Sequence, residues 1–368
     1  MATGDAESWQ EGRGRAALRQ LRAQPESWQQ AANCAVRLRG TYILYIPSIA
    51  SHALADSLCF IPTFANIPFL KSASQSIPNP VKHISPQPNL ESTLHHPTMD
   101  PNPPPRWPAP HKAAIAFTMD NLGEAQDVLR NAWPHPIGTH PAVTTQLPRM
   151  LALLAQHGVR ATYFAEAWSL GVYPGAVRAL ASGGHEVAWH GFQHEVWGGL
   201  DERRERDSFE RSWEAAGERE VKYVGFRPPG GKVNEWSWGL LKEYGVEYVS
   251  PLGEFGMGRE GVVVLPFEWK AVDAFWYMDK FGPIRKDSGE REEVLSPGEF
   301  KEWLMGKIDE TVKTGGFLSI LFHPFLQTSE EKFGVLQDVL KRISEDGDIW
   351  VAPCQEVAKW VKEHPGIF

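Results

Sequence analysis

The sequence predicts an α/β fold, a distorted TIM-like (β/α)7-8 barrel of about seven or eight βα units with a disordered or irregular N-terminal extension. Two observations support this fold class. From Lys112 onward, short apolar runs of strand length alternate with longer segments whose apolar residues recur at helical spacing. Such repeated units imply a mainly parallel sheet covered by helices, and their number suits a barrel better than an open sheet.

The predicted strands are short segments rich in apolar and β-branched residues. They cover residues 113–119, 160–165, 184–190, 224–227, 247–250, 262–267, 317–323 and 349–352. The predicted helices lie between these strands, and several of them are followed by glycine, as is common at helix C-termini. They cover residues 144–157, 174–182, 201–217, 235–244, 297–314 and 330–346.

The first part of the chain differs from the rest. Residues 1–110 show no sustained period of either two or 3.6, and the stretch from Ile77 to Pro110 contains 11 prolines. We therefore predict an irregular, proline-rich and disordered extension over 1–110 and a catalytic domain over 111–368. Met99 lies just before the first convincing strand, and we hypothesise that it is the true start of the protein; the alternative is that the residues before it form a disordered extension.

The composition is that of a soluble globular protein, with 42% hydrophobic residues and a net charge of −8. This charge argues against nucleic acid or an anionic membrane surface as a partner. The N-terminus is acidic and lacks an apolar core, and prolines interrupt the apolar stretch 41–70, so neither a secretory signal nor a spanning helix is expected. A cytoplasmic location is predicted, and the sequence indicates no oligomeric state.

Four polar clusters fall at the predicted C-terminal ends of strands, where the active site of a barrel lies. They are 118–121, the pair His190 and His194, 227–231, and 323–324. Two histidines four residues apart form a good half-site for a divalent metal, although solvated loop histidines are an alternative. Each other cluster also has a structural explanation, such as a turn, a surface ion pair or a strand end. Because all four clusters fall at the C-terminal ends of predicted strands, an active site is favoured over four unrelated structural features.

The order Thr-x-Asp, His-x-x-x-His, Arg-x-Pro-x-Gly and an apolar strand ending in histidine resembles the polysaccharide deacetylase family. This is the NodB-type family, also called carbohydrate esterase family four, and the resemblance covers residues 113–352. Gly191 after the first metal histidine and Pro324 after His323 resemble the divergent peptidoglycan-deacetylase and allantoinase-like branch. Members of that branch act on small substrates with C–N bonds as well as on glycans.

The resemblance implies catalytic roles for three residues. Amide hydrolysis needs a nucleophilic water, stabilisation of the oxyanion and a proton for the departing amine. Asp120 matches the family's catalytic aspartate and would be the general base, and His323 would be the general acid. Arg227 would orient Asp120 through an ion pair and keep it ionised.

The resemblance also implies a divalent metal, with zinc as the expected ion. His190 and His194 would be ligands, and Asn121 stands where the family usually has a third ligand, an aspartate. An amide oxygen can ligate metal but brings no charge, so a lower affinity is expected. Alternatively, Asp120 ligates the metal or Glu124 reaches in from the same loop. The family's Asp-x-x-Asp-Trp motif is not intact either, and the nearest stretch is 273–276.

Three residues are predicted to bind substrate: Pro229 within the arginine motif, and Trp269 and Trp276 on the long loop after the strand 262–267. Aromatic faces stack on sugar rings, although a tryptophan is more commonly part of a core.

These features predict a metal-dependent hydrolase of C–N bonds other than peptide bonds. Its expected reaction is the deacetylation of an N-acetylated sugar or glycan. The first alternative is a cytoplasmic hydrolase of a small cyclic or linear amide, as in allantoinase-like proteins. The second is a carbohydrate-binding relic with little catalytic power, which the amide at Asn121 suggests.

Overall fold

The computed structural model describes residues 105–121 and 123–368. The predicted extension over 1–104 and the predicted start at Met99 lie outside the described residues. Just before the predicted domain boundary near residue 111, the buried Trp107 ring packs edge-on against Phe255 at a centroid distance of 5.7 Å. Its indole N–H donates to the carbonyl of Gly315, so the folded domain includes this residue.

The strands form a nine-stranded, curled sheet in the order β6-β7-β5-β4-β3-β2-β1-β8, with β9 also paired to β1. Neighbouring strands are parallel except β6 and β7. They span Ala113–Asp120 (β1), Thr162–Ala165 (β2), Glu186–Trp189 (β3), Gly225–Phe226 (β4), Tyr248–Val249 (β5), Gly256–Met257 (β6), Val263–Val264 (β7), Phe317–Phe322 (β8) and Ile349–Val351 (β9). The predicted α/β class and distorted (β/α) barrel are confirmed, although the edge strands β6 and β8 do not pair with each other among the described residues.

Eleven α-helices are described, and they include all six helices that were predicted. They span Ala125–Leu129 (α1), Leu147–Gln156 (α2), Ala167–Val172 (α3), Pro174–Ser182 (α4), Glu202–Gly217 (α5), Ser237–Glu243 (α6), Asp273–Tyr277 (α7), Gly282–Asp287 (α8), Pro297–Thr314 (α9), Glu330–Glu345 (α10) and Cys354–Glu363 (α11). No helix within the described ranges is both long and apolar enough to cross a membrane.

The helix α9 shows how local sequence fixes an element's bounds. Ser296 accepts a hydrogen bond from the backbone of Glu299, whose side chain bonds back to the backbone of Ser296, which forms a capping box. The helix ends at Gly315, whose φ of 69° is favourable for glycine and costly for most other residues. Both ends agree with the predicted range 297–314.

The strand β1 lies inside the sheet, between β2 and β8, and all eight of its residues are buried. Because side chains alternate across a strand, Ile115 and Phe117 pack into the core on one side, while Ala114 and Ala116 face a second core. The same alternation places Asp120 on the face of Ala116, at the C-terminal end of the strand. Asp120 therefore lies among the ends of the neighbouring parallel strands.

Candidate active site

A buried arginine organises the site. Arg227 directly follows β4 and is fully buried. Its guanidinium donates to Asp120 Oδ1 at 2.7 Å and to Thr118 Oγ1 at 2.9 Å. It also donates to the hydroxyls of Ser250 and Ser319, each at 2.9 Å. A buried guanidinium is costly unless its donors are satisfied, and here one carboxylate and three hydroxyls satisfy them.

Asp120 has one carboxylate oxygen held by Arg227 and a second oxygen that is free to accept a proton in the cavity. Oδ1 is held by Arg227, while Oδ2 lies 3.7 Å from Nε2 of His190. Both Asp120 and His190 line the same cavity. The ion pair fixes the carboxylate without occupying both of its oxygens.

His190 is oriented by the backbone. Its Nδ1–H donates to the carbonyl of Arg227 at 2.8 Å, which leaves Nε2 as the atom that carries a lone pair. Burial lowers the pKa of His190, against a smaller opposing effect of Asp120, so the neutral imidazole is favoured. A neutral ring held through its other nitrogen is the form in which histidine binds metals.

His194 faces His190 in a strained loop. Its φ is 60°, a left-handed conformation that is unfavourable for a side chain of this size. The ring centroids of His190 and His194 are 4.9 Å apart, and the planes are nearly perpendicular at 78°. Burial, followed by His190, holds the pKa of His194 well below its usual value. The side-chain amide of Gln126 donates to His194 Nδ1 at 2.5 Å and braces the ring, so His194 would bind a metal only after exchanging this bond or its Nε2 proton.

Asn121 supplies an oxygen that no described group satisfies. Its Oδ1 is buried and accepts no hydrogen bond from the residues at 105–121 and 123–368, and its φ of 71° is also left-handed. Among these residues no three His, Cys, Asp or Glu side chains form a metal cluster. Asparagine is not among these four residue types. Together, His190, His194 and Asn121 offer two ring nitrogens and one unpaired oxygen as candidate donor atoms. This donor set fits a borderline divalent ion such as zinc.

The second histidine centre lies at the end of β8. His323 Nδ1–H donates to Asp273 Oδ1 at 2.6 Å, and its backbone N–H donates to Asp273 Oδ2 at 2.7 Å. The amide of Gln327 donates to the same Oδ2 at 2.8 Å. Asp273 is fully buried in α7, so it fixes the His323 ring and leaves Nε2 available. The partnership of Asp273 and His323 was not predicted from the sequence.

One cavity of about 580 Å³ unites these groups. Its lining includes all of the predicted catalytic and metal residues: Asp120, Asn121, His190, His194, Arg227 and His323. The remaining lining is apolar and aromatic, together with a few charged residues. Apolar lining residues are Phe267, Trp269, Val272, Ala274, Met278, Phe281, Ile284, Leu321 and Phe325.

Of the predicted substrate-binding residues, only Trp269 lines this cavity. Trp276 instead lies in the core, 3% exposed, where its ring packs against Phe300 and its indole N–H donates to a backbone carbonyl. Pro229 is buried, and its neighbours Pro228 and Gly230 line the cavity in its place.

The alternative that Glu124 ligates the metal does not agree with the structure. Its carboxylate accepts hydrogen bonds from the hydroxyl of Tyr173 and from the backbone of Gly138, at 2.6 Å in the second case. Glu124 is fully buried there and does not line the described cavity.

This chain is similar to known proteins of one family. A family model described as polysaccharide deacetylase matches residues 113–249. The solved structure of a putative polysaccharide deacetylase from Mycobacterium smegmatis is 27% identical with a TM-score of 0.61, and covers 70% of this chain and 93% of its own. No protein of curated function matches the chain.

Two further solved structures support the fold. The Puue allantoinase is 18% identical with a TM-score of 0.58, and the match covers 72% of this chain and 95% of the allantoinase. A probable polysaccharide deacetylase from Pseudomonas aeruginosa PAO1 is 20% identical with a TM-score of 0.58, over 72% of this chain and 96% of its own.

The match with this family indicates a hydrolase of the class that acts on C–N bonds other than peptide bonds. The polysaccharide deacetylase model matches residues 113–249, and the predicted resemblance to that family is confirmed.

Proposed function

We propose that this protein uses a divalent metal, zinc in the first instance, to hydrolyse the amide bond of an N-acetylated sugar or glycan. The observation that supports this proposal is the placement of Asp120 and His323 on one cavity, each held by its own buried partner. An amide hydrolase needs such a pair, because one group must accept a proton while another donates one.

His190 Nε2, His194 and Asn121 Oδ1 would hold the metal. When bound, a divalent ion would lower the pKa of a water molecule and polarise the substrate carbonyl. The protein's own contribution is to keep both imidazoles neutral, through burial, and to hold one of them by a backbone hydrogen bond. Two neutral nitrogens and an amide oxygen carry no negative charge, so we expect weaker binding than at a site with a carboxylate ligand.

Asp120 would take a proton from the attacking water through its free Oδ2, while Arg227 keeps Oδ1 in place. His323, protonated at Nε2, would then give its proton to the departing nitrogen as the C–N bond breaks. Asp273 holds the opposite ring nitrogen and keeps the ring in the orientation that this transfer requires. The products are a carboxylic acid and an amine. Arg227 and Asp273 are positioning residues, since each acts through a neighbour.

The test is to measure bound metal in the purified protein and the release of acetate and amine from chito-oligosaccharides. Asp120→Asn should retain the fold but reduce turnover about 10²–10⁴-fold, the usual contribution of a general base. Absence of release from any N-acetylated sugar or small amide would contradict the proposal and favour the carbohydrate-binding relic.

The cavity's volume favours a second candidate, the hydrolysis of a small cyclic or linear amide. A space of about 580 Å³ lies within the range of sites for single small molecules. A panel of small amides assayed beside chito-oligosaccharides distinguishes the two candidates by kcat/KM. The predicted cytoplasmic location would also favour this substrate class, because a cell-wall polymer would then be out of reach.

A further inference from the structure

Two positively charged side chains, both exposed to solvent, lie in the lining of the cavity. Arg130 directly follows α1, and Lys280 lies in the short turn Asp279–Phe281 between α7 and α8. Both side chains line the cavity. Within residues 105–121 and 123–368 neither one forms an ion pair. The Lys280 ammonium instead lies 5.4 Å from the ring centroid of Phe281, another lining residue.

These two cations line the same cavity and interact with each other. Burial lowers the pKa of Lys280 and the charge of Arg130 lowers it further, against a smaller opposing effect of Asp127. Two like charges that face one space repel each other, and an anion between them would relieve the repulsion.

The net charge of the cavity lining also favours an anionic ligand. Asp120 is already paired with Arg227, and Asp127 is the remaining lining carboxylate that offsets Arg130 and Lys280. The described lining therefore has one more positive than negative charge when its histidines are neutral. The whole chain has a net charge of −8, so this local excess runs against the overall composition.

We infer that the substrate carries an anionic group, a carboxylate or a group of similar chemistry, that binds between Arg130 and Lys280. Its scissile amide would lie at Asp120 and His323, farther along the same cavity. This inference rests on the proposed function and narrows it to small acidic amides. A neutral glycan would leave both cations without a partner, whereas a molecule with one amide and one carboxylate would satisfy both ends of the cavity.

The test compares matched probes that differ in the carboxylate. One pair is N-acetyl-β-alanine and its carboxamide, and a second is N-acetylmuramic acid and N-acetylglucosamine. We expect kcat/KM to favour the acidic member of at least one pair about tenfold at low salt. This preference should decrease as salt is added, because accessible charges are screened. The pair with the larger kcat/KM identifies whether the anion belongs to an amino acid or to a sugar.

Variants then assign the preference to the two cations. Lys280→Met and Arg130→Met should each reduce the ratio of acidic to neutral kcat/KM about fivefold, as expected for one solvent-accessible ion pair. Lys286→Met is the matched control, because Lys286 is a nearby lysine in α8 that pairs with Glu292 at 2.5 Å and does not line the described cavity. Its ratio should equal that of the wild type.

The outcomes separate this inference from the proposed function. Turnover with equal kcat/KM for acidic and neutral probes would overturn the inference and leave the proposed function standing. If no probe is hydrolysed, the proposed function fails, and calorimetric titration with N-acetyl-β-alanine decides the inference alone. Binding that Lys280→Met loses and Lys286→Met keeps would support an anion site, and absence of binding would overturn it.

Discussion

The two histidine centres of the cavity are held in opposite ways. His323 is fixed by a buried carboxylate, which is itself bonded by the backbone of His323 and by Gln327. His190 is fixed by a backbone carbonyl, and Asn121, which lines the same cavity, has a buried oxygen that accepts no hydrogen bond from the described part of the chain. At the first centre both carboxylate oxygens of Asp273 accept hydrogen bonds. At the second centre Asn121 Oδ1 accepts none from the described residues. This difference supports the proposal that the metal would be held at the second centre and not at the first.

The largest effect should come from removing a ligand of the second centre. His190→Ala leaves at most one imidazole in the proposed metal site, so we expect bound metal to disappear and turnover to become undetectable. Metal content per chain and acetate release measure the two effects. If the variant keeps its metal, His190 is not a ligand, and the proposed difference between the two histidine centres is wrong.

Removing the histidine of the first centre should separate turnover from metal. We expect His323→Ala to reduce kcat about 10²–10⁴-fold, the range for loss of a general acid, while metal content stays at the wild-type value. Full activity would show that His323 has no acid role. Loss of metal together with activity would show that the two centres are not independent.

A smaller change should strengthen the second centre. Asn121→Asp introduces a negative charge at the unpaired oxygen, and we expect metal affinity to rise about tenfold, or about 1.4 kcal/mol. Aspartate tolerates the left-handed conformation about as well as asparagine. Asn131→Asp is the matched control, because Asn131 also has a positive φ of 54° but does not line the described cavity. Unchanged affinity in Asn121→Asp would place residue 121 outside the ligand shell.

The smallest expected effect concerns the support of the first centre. Gln327→Met removes one of the hydrogen bonds to Asp273 and keeps the side-chain volume. A hydrogen bond to a carboxylate contributes about 1.5–3 kcal/mol, and because Asp273 keeps its bond from the backbone of His323 we expect kcat to fall only about fivefold, with KM and metal content unchanged. The free energy of unfolding, measured in parallel, shows whether a loss of stability explains the change. An unaltered kcat would mean that the backbone of His323 alone suffices to orient Asp273.

Much of the fold could be predicted, because caps and periodicity are local properties. The helices α4 and α9 begin and end where the sequence predicts. The short helices α7 and α8 were not predicted, since segments of five and six residues have too few turns to show a period. The C-terminal helix α11 was also missed, although its buried Val357 and Val361 have helical spacing.

The site was predictable where each polar residue directly follows an apolar strand, as with Asp120, Arg227 and His323. The partnership of Asp273 with His323 was not, because the two residues are 50 positions apart and only tertiary packing joins them. Trp276 shows that residue type alone does not locate a substrate-binding side chain. Tryptophan is favoured both in cores and at sugar-binding rims, so residue type alone could not decide that Trp276 packs on Phe300.

Arg227 contacts both the proposed base and a proposed metal ligand. Its guanidinium holds Asp120, and its backbone carbonyl holds His190. A shift of the end of β4 would therefore carry both groups along, and their mutual spacing would change less than their positions. Substitutions in the surrounding loops should therefore change the distance between Asp120 and His190 only slightly. A replacement of Arg227 itself would keep the carbonyl but lose the guanidinium, and would release the carboxylate alone.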